Sequence, residues 1–95
     1  MSVYFQLQVK VNDETEYRKY LDKCDEIFAR YSGRYLAVDP EPEILEGSWD
    51  YTRSVMIEFP DRESFFKWYN SDEYQEILKH RLSGADCNSI LIQGK

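Results

Sequence analysis

The chain has 95 residues, with 18 acidic side chains against 12 Lys and Arg, a formal net charge of −6. Such a surface repels the polyanionic backbones of nucleic acids and anionic lipid, and no basic run offsets it. No stretch approaches the roughly 20 apolar residues of a membrane-spanning helix, and the length is that of one domain, residues 1–95.

The first element alternates. Val3, Phe5, Leu7, Val9 and Val11 point one way and Tyr4, Gln6, Gln8 and Lys10 the other, which predicts a half-buried strand. Asp13 then caps a helix, with Glu16 placed as its reciprocal partner. The helix carries Tyr17, Tyr20, Leu21, Cys24, Ile27, Phe28 and Tyr31 at i, i+3, i+4, i+7 spacing, and Gly33 reads as a left-handed cap after it. Arg34 to Val38 is a second strand with Leu36 and Val38 on one face, stopped by Asp39-Pro40-Glu41-Pro42 because proline cannot donate to a ladder. Glu43 to Glu46 is a short edge piece, and Tyr51 to Phe59 is a third strand with Val55, Ile57 and Phe59 on one side. Asp61 caps a second helix with Phe65, Phe66, Trp68 and Tyr69, and Ser71 caps a further helical piece in which Tyr74, Ile77, Leu78 and Arg81 align up to Gly84. Ser89 to Gln93 is the last short strand.

The order is βαββαβ. Right-handed crossovers then give an α+β, ferredoxin-like fold: a four-stranded antiparallel sheet with two main helices on one face. The opposite face is expected to hold Tyr4, Gln6, Gln8, Tyr35, Ala37, Met56, Glu58 and Leu91. A domain of this size buries only about 60–70% of the surface its unfolded chain exposes, so a homodimer through that mixed face is expected. Eight Tyr and two Trp supply rings with polar tips for such a seam or for a pocket wall. Cys24 and Cys87 have no companion His at metal spacing, which predicts free thiols in a reducing compartment and a cytoplasmic protein.

Few residues carry chemistry. Arg53 has the parity of Val55 and Ile57, so a guanidinium starts on the core face, where it must be paired or face a cavity. It is expected under the C-terminal ends of both helices, near Tyr31 and Trp68 or Tyr69, as an anion anchor or as one half of a structural ion pair. Arg34 is a rim residue or a second anchor. Glu58, on the presumed dimer face, is a general base of raised pKa or the partner of a cross-strand cation. His80 lies off its helix stripe, whereas Arg81 lies on it and is the better pocket candidate. Nothing resembles a P-loop, a dinucleotide fingerprint, a nucleophile elbow or a metal cluster, so no cofactor or metal is expected.

A set of short segments, in order, carries a resemblance. They are Val11-Asn12-Asp13 with Tyr17 and Tyr20, Gly33-Arg34-Tyr35-Leu36, Leu45-Glu46-Gly47-Ser48-Trp49, Arg53 through Pro60, Trp68-Tyr69-Asn70-Ser71 with Glu73-Tyr74-Gln75, Arg81 and Ile92-Gln93-Gly94. Through them the chain resembles the bacterial family grouped as domain of unknown function 1330, among the dimeric α+β barrels. The resemblance implies a ferredoxin-like fold and a dimer, and no settled activity. The family often has Arg-Gly-Gly after its second strand; here Val38, Asp39 and Pro40 stand there, so no ligand role carries over through that loop.

These readings lead to a homodimer that binds a small anionic or aromatic molecule between helices and sheet. Two rivals stand beside it. One is a cofactor-free isomerase, lyase or monooxygenase acting on a small organic acid, with Glu58 or a Tyr as acid/base and Arg53 as anchor. The other is a module whose only role is its dimer face.

Overall fold

A computed structural model describes residues 1–95. The elements are β1 (Val3–Val11), α1 (Glu14–Phe28), β2 (Arg34–Asp39), β3 (Arg53–Phe59), α2 (Arg62–Tyr69), α3 (Asp72–Gly84) and β4 (Ala85–Gln93). The strands form one sheet in the order β2-β3-β1-β4, and every neighbouring pair is antiparallel. This is the ferredoxin-like βαββαβ arrangement, with the second crossover helix broken into α2 and α3.

The period-two pattern of β1 is realised from Val3 to Lys10 and lapses at Val11, which is half-buried. Val3, Phe5, Leu7 and Val9 are buried, and the residues between them are half-exposed. All three helices start where a side-chain oxygen takes an orphan backbone N–H: Asp13 accepts from Glu16, Asp61 from Ser64 and Ser71 from Tyr74. The Glu16 carboxylate does not complete a capping box. It pairs instead with His80 on α3 and with Lys19.

Four sequence expectations change. Gly33 is not a left-handed cap, because α1 ends at Ala29 with φ −62° and the one positive-φ residue is Gly47. Gly33 is small for lack of room: a Cβ there would lie 2.5 Å from the Phe59 ring and 2.8 Å from that of Phe28. Glu43 to Glu46 forms no strand; Ile44 and Leu45 are exposed in the loop between β2 and β3. β3 itself begins at Arg53 rather than Tyr51. β4 starts at Ala85 rather than Ser89 and pairs with β1 from Val11↔Ala85 to Val3↔Gln93.

The faces differ as well. Leu91 pairs with Phe5 and so points at the helices, while Ile90 and Ile92 stand beside Gln6 and Tyr4 on the other side. In β2 the register steps from Tyr35↔Ile57 to Ala37↔Met56, with Leu36 as the extra residue of a bulge. Arg34 therefore shares the outer face with Glu58, and Tyr35 turns toward the helices, where its ring packs 4.6 Å from Phe28.

Seventeen apolar residues form the core between sheet and helices. Trp68 is central to it, with its ring 4.2 Å from Tyr74 and 5.5 Å from both Phe28 and Phe59. Aromatic contacts of this kind are worth about 0.5–1.5 kcal/mol each beyond their buried area. α1 and α3 are tied at both ends, by Glu16 with His80 and by Arg30 and Tyr31 with Glu73.

Candidate functional site

A cavity of about 340 Å³ lies between α1 and the sheet. Its floor is Phe5, Leu7, Val55 and Ile57, and its roof is Tyr17, Tyr20, Leu21 and Cys24, closed at the back by Trp68. It opens between α1 and the edge strand β2, where Leu21, Tyr35 and Val38 are all exposed. Two charged groups line this otherwise apolar space, Arg53 and Asp25.

Arg53 opens β3 opposite Val9. Its Nε is buried without a hydrogen-bond partner, and none of the seven ion pairs in the chain includes it. An unmet donor of this kind costs about 1–3 kcal/mol, more when charged. Its neighbours are Glu14, Tyr17, Arg18 and Leu21, in the first half of α1. The expected position under the C-terminal ends of both helices is thus half right. β1 delivers the chain into α1 beside Arg53, so the start of α1 lies there, together with the end of α3 at Gly84.

The other sequence candidates separate. Trp68 lines the cavity, and its Nε1 also lacks a partner. Tyr31 lies at the far end of α1, donating to Glu73 at 2.7 Å. Tyr69 stacks on Phe65 at 5.4 Å and is not part of the cavity wall. Arg34 is at the surface, its Nε donating to Glu58 at 2.6 Å. That bond holds the Glu58 carboxyl below its ordinary range, the reverse of what a general base needs. Glu58 and Arg53 face opposite sides of the sheet and share no cavity.

Arg81 is 2% exposed, with its guanidinium 5.5 Å from the centre of the Tyr20 ring and one nitrogen 3.5 Å from the Tyr74 hydroxyl. It too has no carboxylate partner, and its Nε is unmet. Arg81 reaches the cavity only through Tyr20, whose hydroxyl is 2.8 Å from that of Tyr74.

Sequence reasoning did not single out Tyr17, Tyr20, Cys24, Asp25 or Tyr35 as site residues. Three of these were on the α1 stripe, where a pocket roof and a core face look alike. Asp25 was off it, and Tyr35 was assigned to the wrong face by simple alternation. Burial pushes the Tyr17 and Tyr20 hydroxyls up, and burial and then Asp25 push the Cys24 thiol up to about 11. At neutral pH these groups are hydrogen-bond donors rather than bases or nucleophiles. Asp25 accepts from the Tyr35 hydroxyl at 3.0 Å. No group of three His, Cys, Asp or Glu side chains is placed to hold a metal ion.

The outer face carries a second hollow, of about 240 Å³, where Trp49 lies over Gln6, Gln8, Ser54 and Met56. Its loop is fastened by Lys10 to Asp50 at 2.7 Å and by Asn88 to the Tyr51 hydroxyl.

Residues 2–95 match the family described as domain of unknown function DUF1330. The chain belongs to the DUF1330 family. Val38 and Pro40, in the segment where the family often has Arg-Gly-Gly, both lie at this end of the fold: Val38 on the cavity wall and Pro40 beside Arg53. Among solved structures the chain is similar to the RPA0582 protein of unknown function from Rhodopseudomonas palustris, with a TM-score of 0.81 at 18% identity over 99% of this chain and 82% of that one. It is similar to a dimeric ferredoxin-like protein of unknown function from Jannaschia sp. CCS1, with a TM-score of 0.78 at 8% identity over 99% and 100% of the two chains. SnoaB, a cofactor-independent oxygenase from Streptomyces nogalater, aligns with a TM-score of 0.70 at 14% identity over 99% and 93%. At these identities the likeness establishes the fold. No curated protein matches the chain. No helix is long and apolar enough to cross a membrane.

Proposed function

We propose that this protein is a homodimer that binds a small anionic molecule with an apolar, ring-sized body in the cavity between α1 and the sheet. The observation that carries this reading is Arg53, whose Nε is buried and unpaired on the wall of an otherwise apolar space. A carboxylate or similar acid group supplies the missing acceptor, and a charge-assisted bond there is worth about twice a neutral one. The rings of Phe5, Tyr17, Tyr20 and Trp68 suit a flat apolar body. The dimer reading rests on the outer sheet face, where Ile90 and Ile92 are exposed beside Gln6 and Tyr4 on the face that also carries Met56 and Trp49, and on the ferredoxin-like protein described as dimeric. The free thiols Cys24 and Cys87 suit a reducing compartment such as the cytoplasm.

A thermal-shift panel of small aromatic and aliphatic carboxylates tests the binding reading. Ligand at 100 times its Kd stabilises the fold by about 2.7 kcal/mol, a shift of several degrees. That shift is expected in the wild type and is expected to vanish in Arg53→Gln. Equal shifts in both proteins, or none in either, sink the reading; a dimer that binds nothing leaves the interaction-module alternative.

A cofactor-free reaction in the same cavity is the second reading, supported by the fold shared with SnoaB. Asp25 is the one carboxylate on the wall and so the available base. Incubation with the carboxylates that bind, followed by mass spectrometry, tests it: a product lost in Asp25→Asn favours catalysis, and unchanged ligand favours binding alone.

A further inference from the structure

The cavity has two unlike ends. Arg53 is at one, beside Tyr17 near the start of α1. Asp25 is at the other, held by the Tyr35 hydroxyl at 3.0 Å. These opposite charges line one cavity yet form no ion pair with each other. The backbone explains why. Tyr17 and Asp25 lie eight residues apart on α1, about 12 Å at the helical rise. Arg53 and Ile57, the cross-strand partner of Tyr35, lie four residues apart on β3, about 13 Å at the strand rise. Both rulers separate the two ends by more than a direct contact can close.

We infer that the ligand is bipolar: an acid group for Arg53 at one end, a hydroxyl or amine that donates to Asp25 at the other, and a single ring between them. The inference rests on the binding role proposed above and narrows it to a class, the hydroxy- or amino-substituted aryl acids. Asp25 and Tyr35 suit a discriminating role because both are at the mouth. Tyr35 spends its one proton on Asp25 Oδ1, which fixes that carboxylate and leaves its other oxygen, Oδ2, without a hydrogen-bond partner. Asp25 is exposed, so a ligand with no donor at this end leaves Oδ2 to water. A ligand that has one gains a bond to an ionised acceptor, the kind worth about tenfold in affinity. The bulge at Leu36 makes this end possible, because it is what turns Tyr35 inward.

Calorimetric titration with three probes tests the inference: 4-hydroxyphenylacetate, phenylacetate without the hydroxyl, and 4-hydroxyphenylethanol without the acid. The wild type is expected to bind 4-hydroxyphenylacetate about tenfold more tightly than either of the others. Asp25→Asn, an exposed and nearly isosteric change, is expected to erase the preference for the hydroxyl and leave phenylacetate binding unaltered. Arg53→Gln is expected to weaken both acids and spare the alcohol. If Arg53→Gln weakens both acids while the two bind the wild type equally, the bipolar inference is overturned and the anion site stands. If no probe binds, or Arg53→Gln changes nothing, both readings fall.

Discussion

The two faces of the sheet are built to different rules. Toward the helices the inward positions of β1 from Val3 to Val9 are buried and Val11 is half-buried, and they join the rings of the helices in one core. On the opposite face Ile90 and Ile92 are exposed at 57% and 37%, among glutamines, a methionine and the Arg34–Glu58 pair. The helix face thus holds the apolar burial that stabilises one chain. The outer face holds exposed apolar area that contributes no burial in a single chain and that the proposed dimer would cover. Substitutions on the helix face should therefore change the stability of each protomer at any concentration. Those on the outer face should change association and leave the protomer largely intact.

The largest effect is expected at Gly33. A side chain there meets the rings of Phe28 and Phe59, which are locked against Trp68 and cannot retreat. Gly33→Val is expected to destabilise by about 3 kcal/mol, at the upper end for overpacking, and to lower Tm by more than about 10 °C. Urea denaturation at two protein concentrations checks this. A loss that disappears at the higher concentration would mean that the two faces are not independent.

A smaller change in protomer stability, with a large change in assembly, is expected for Ile90→Lys combined with Ile92→Lys. Both positions point away from the helices, so the core is untouched, and the protomer should lose about 1 kcal/mol or less. Light scattering should report a dimer for the wild type and a monomer for the variant. The wild-type Tm should rise with concentration, and that of the variant should not. A wild-type monomer at micromolar concentration would end the proposed role of this face.

How well the sequence foretold these faces depended on how each strand advertises its alternation. In β1 nine residues alternate without exception, and burial in the structure follows them from Val3 to Lys10, with Val11 half-buried at the strand's end. Asp13, Asp61 and Ser71 were readable as caps because a short oxygen-bearing side chain before an apolar stripe has little else to do there. β2 was not readable in the same way. Tyr35, Leu36, Ala37 and Val38 are all apolar or ring-bearing, so nothing marks which residue the ladder skips, and one skipped residue inverts everything before it. The first half of β4 was hidden for a different reason. Asp86, Asn88 and Ser89 look like a loop, and only pairing along the whole of β1 makes them strand. Arg53 was legible as a charge on an apolar parity. Its surroundings were misjudged because the direction in which β1 feeds α1 sets which end of that helix lies above it. Asp25 had no sequence signal, since it is an acidic residue off the helix stripe until the bulge brings Tyr35 within reach of it.

The smallest effect separates the faces by acid. Three carboxyls are held below their ordinary range by a neighbour: Asp61 by the Ser64 N–H it caps, Glu16 by its bond to His80 and then Lys19 on the helix side, and Glu58 by Arg34 on the outer side, and the last two compare the faces. A carboxylate with a lowered folded pKa adds stability that is present above its unfolded value of about 4.3 and is lost as pH falls through the folded one. Glu16 and Glu58 are half-buried at the surface, within reach of solvent, so each contribution is small and partly screened by salt. The wild type should therefore lose stability as pH falls below about 4.3, and Glu16→Gln or Glu58→Gln should each flatten that slope slightly. The faces enter through concentration. Glu16 joins two helices of one chain, so its share should be the same in dilute and concentrated protein. Glu58 and Arg34 stand on the outer face, so protonation of Glu58 there should also weaken association, and its share should grow with protein concentration. Acid unfolding followed by circular dichroism at two concentrations, in both single variants, measures the difference. Equal concentration dependence in Glu16→Gln and Glu58→Gln would mean that the Arg34–Glu58 pair lies outside any seam, and would move the dimer contact toward the Ile90 and Trp49 side of the sheet.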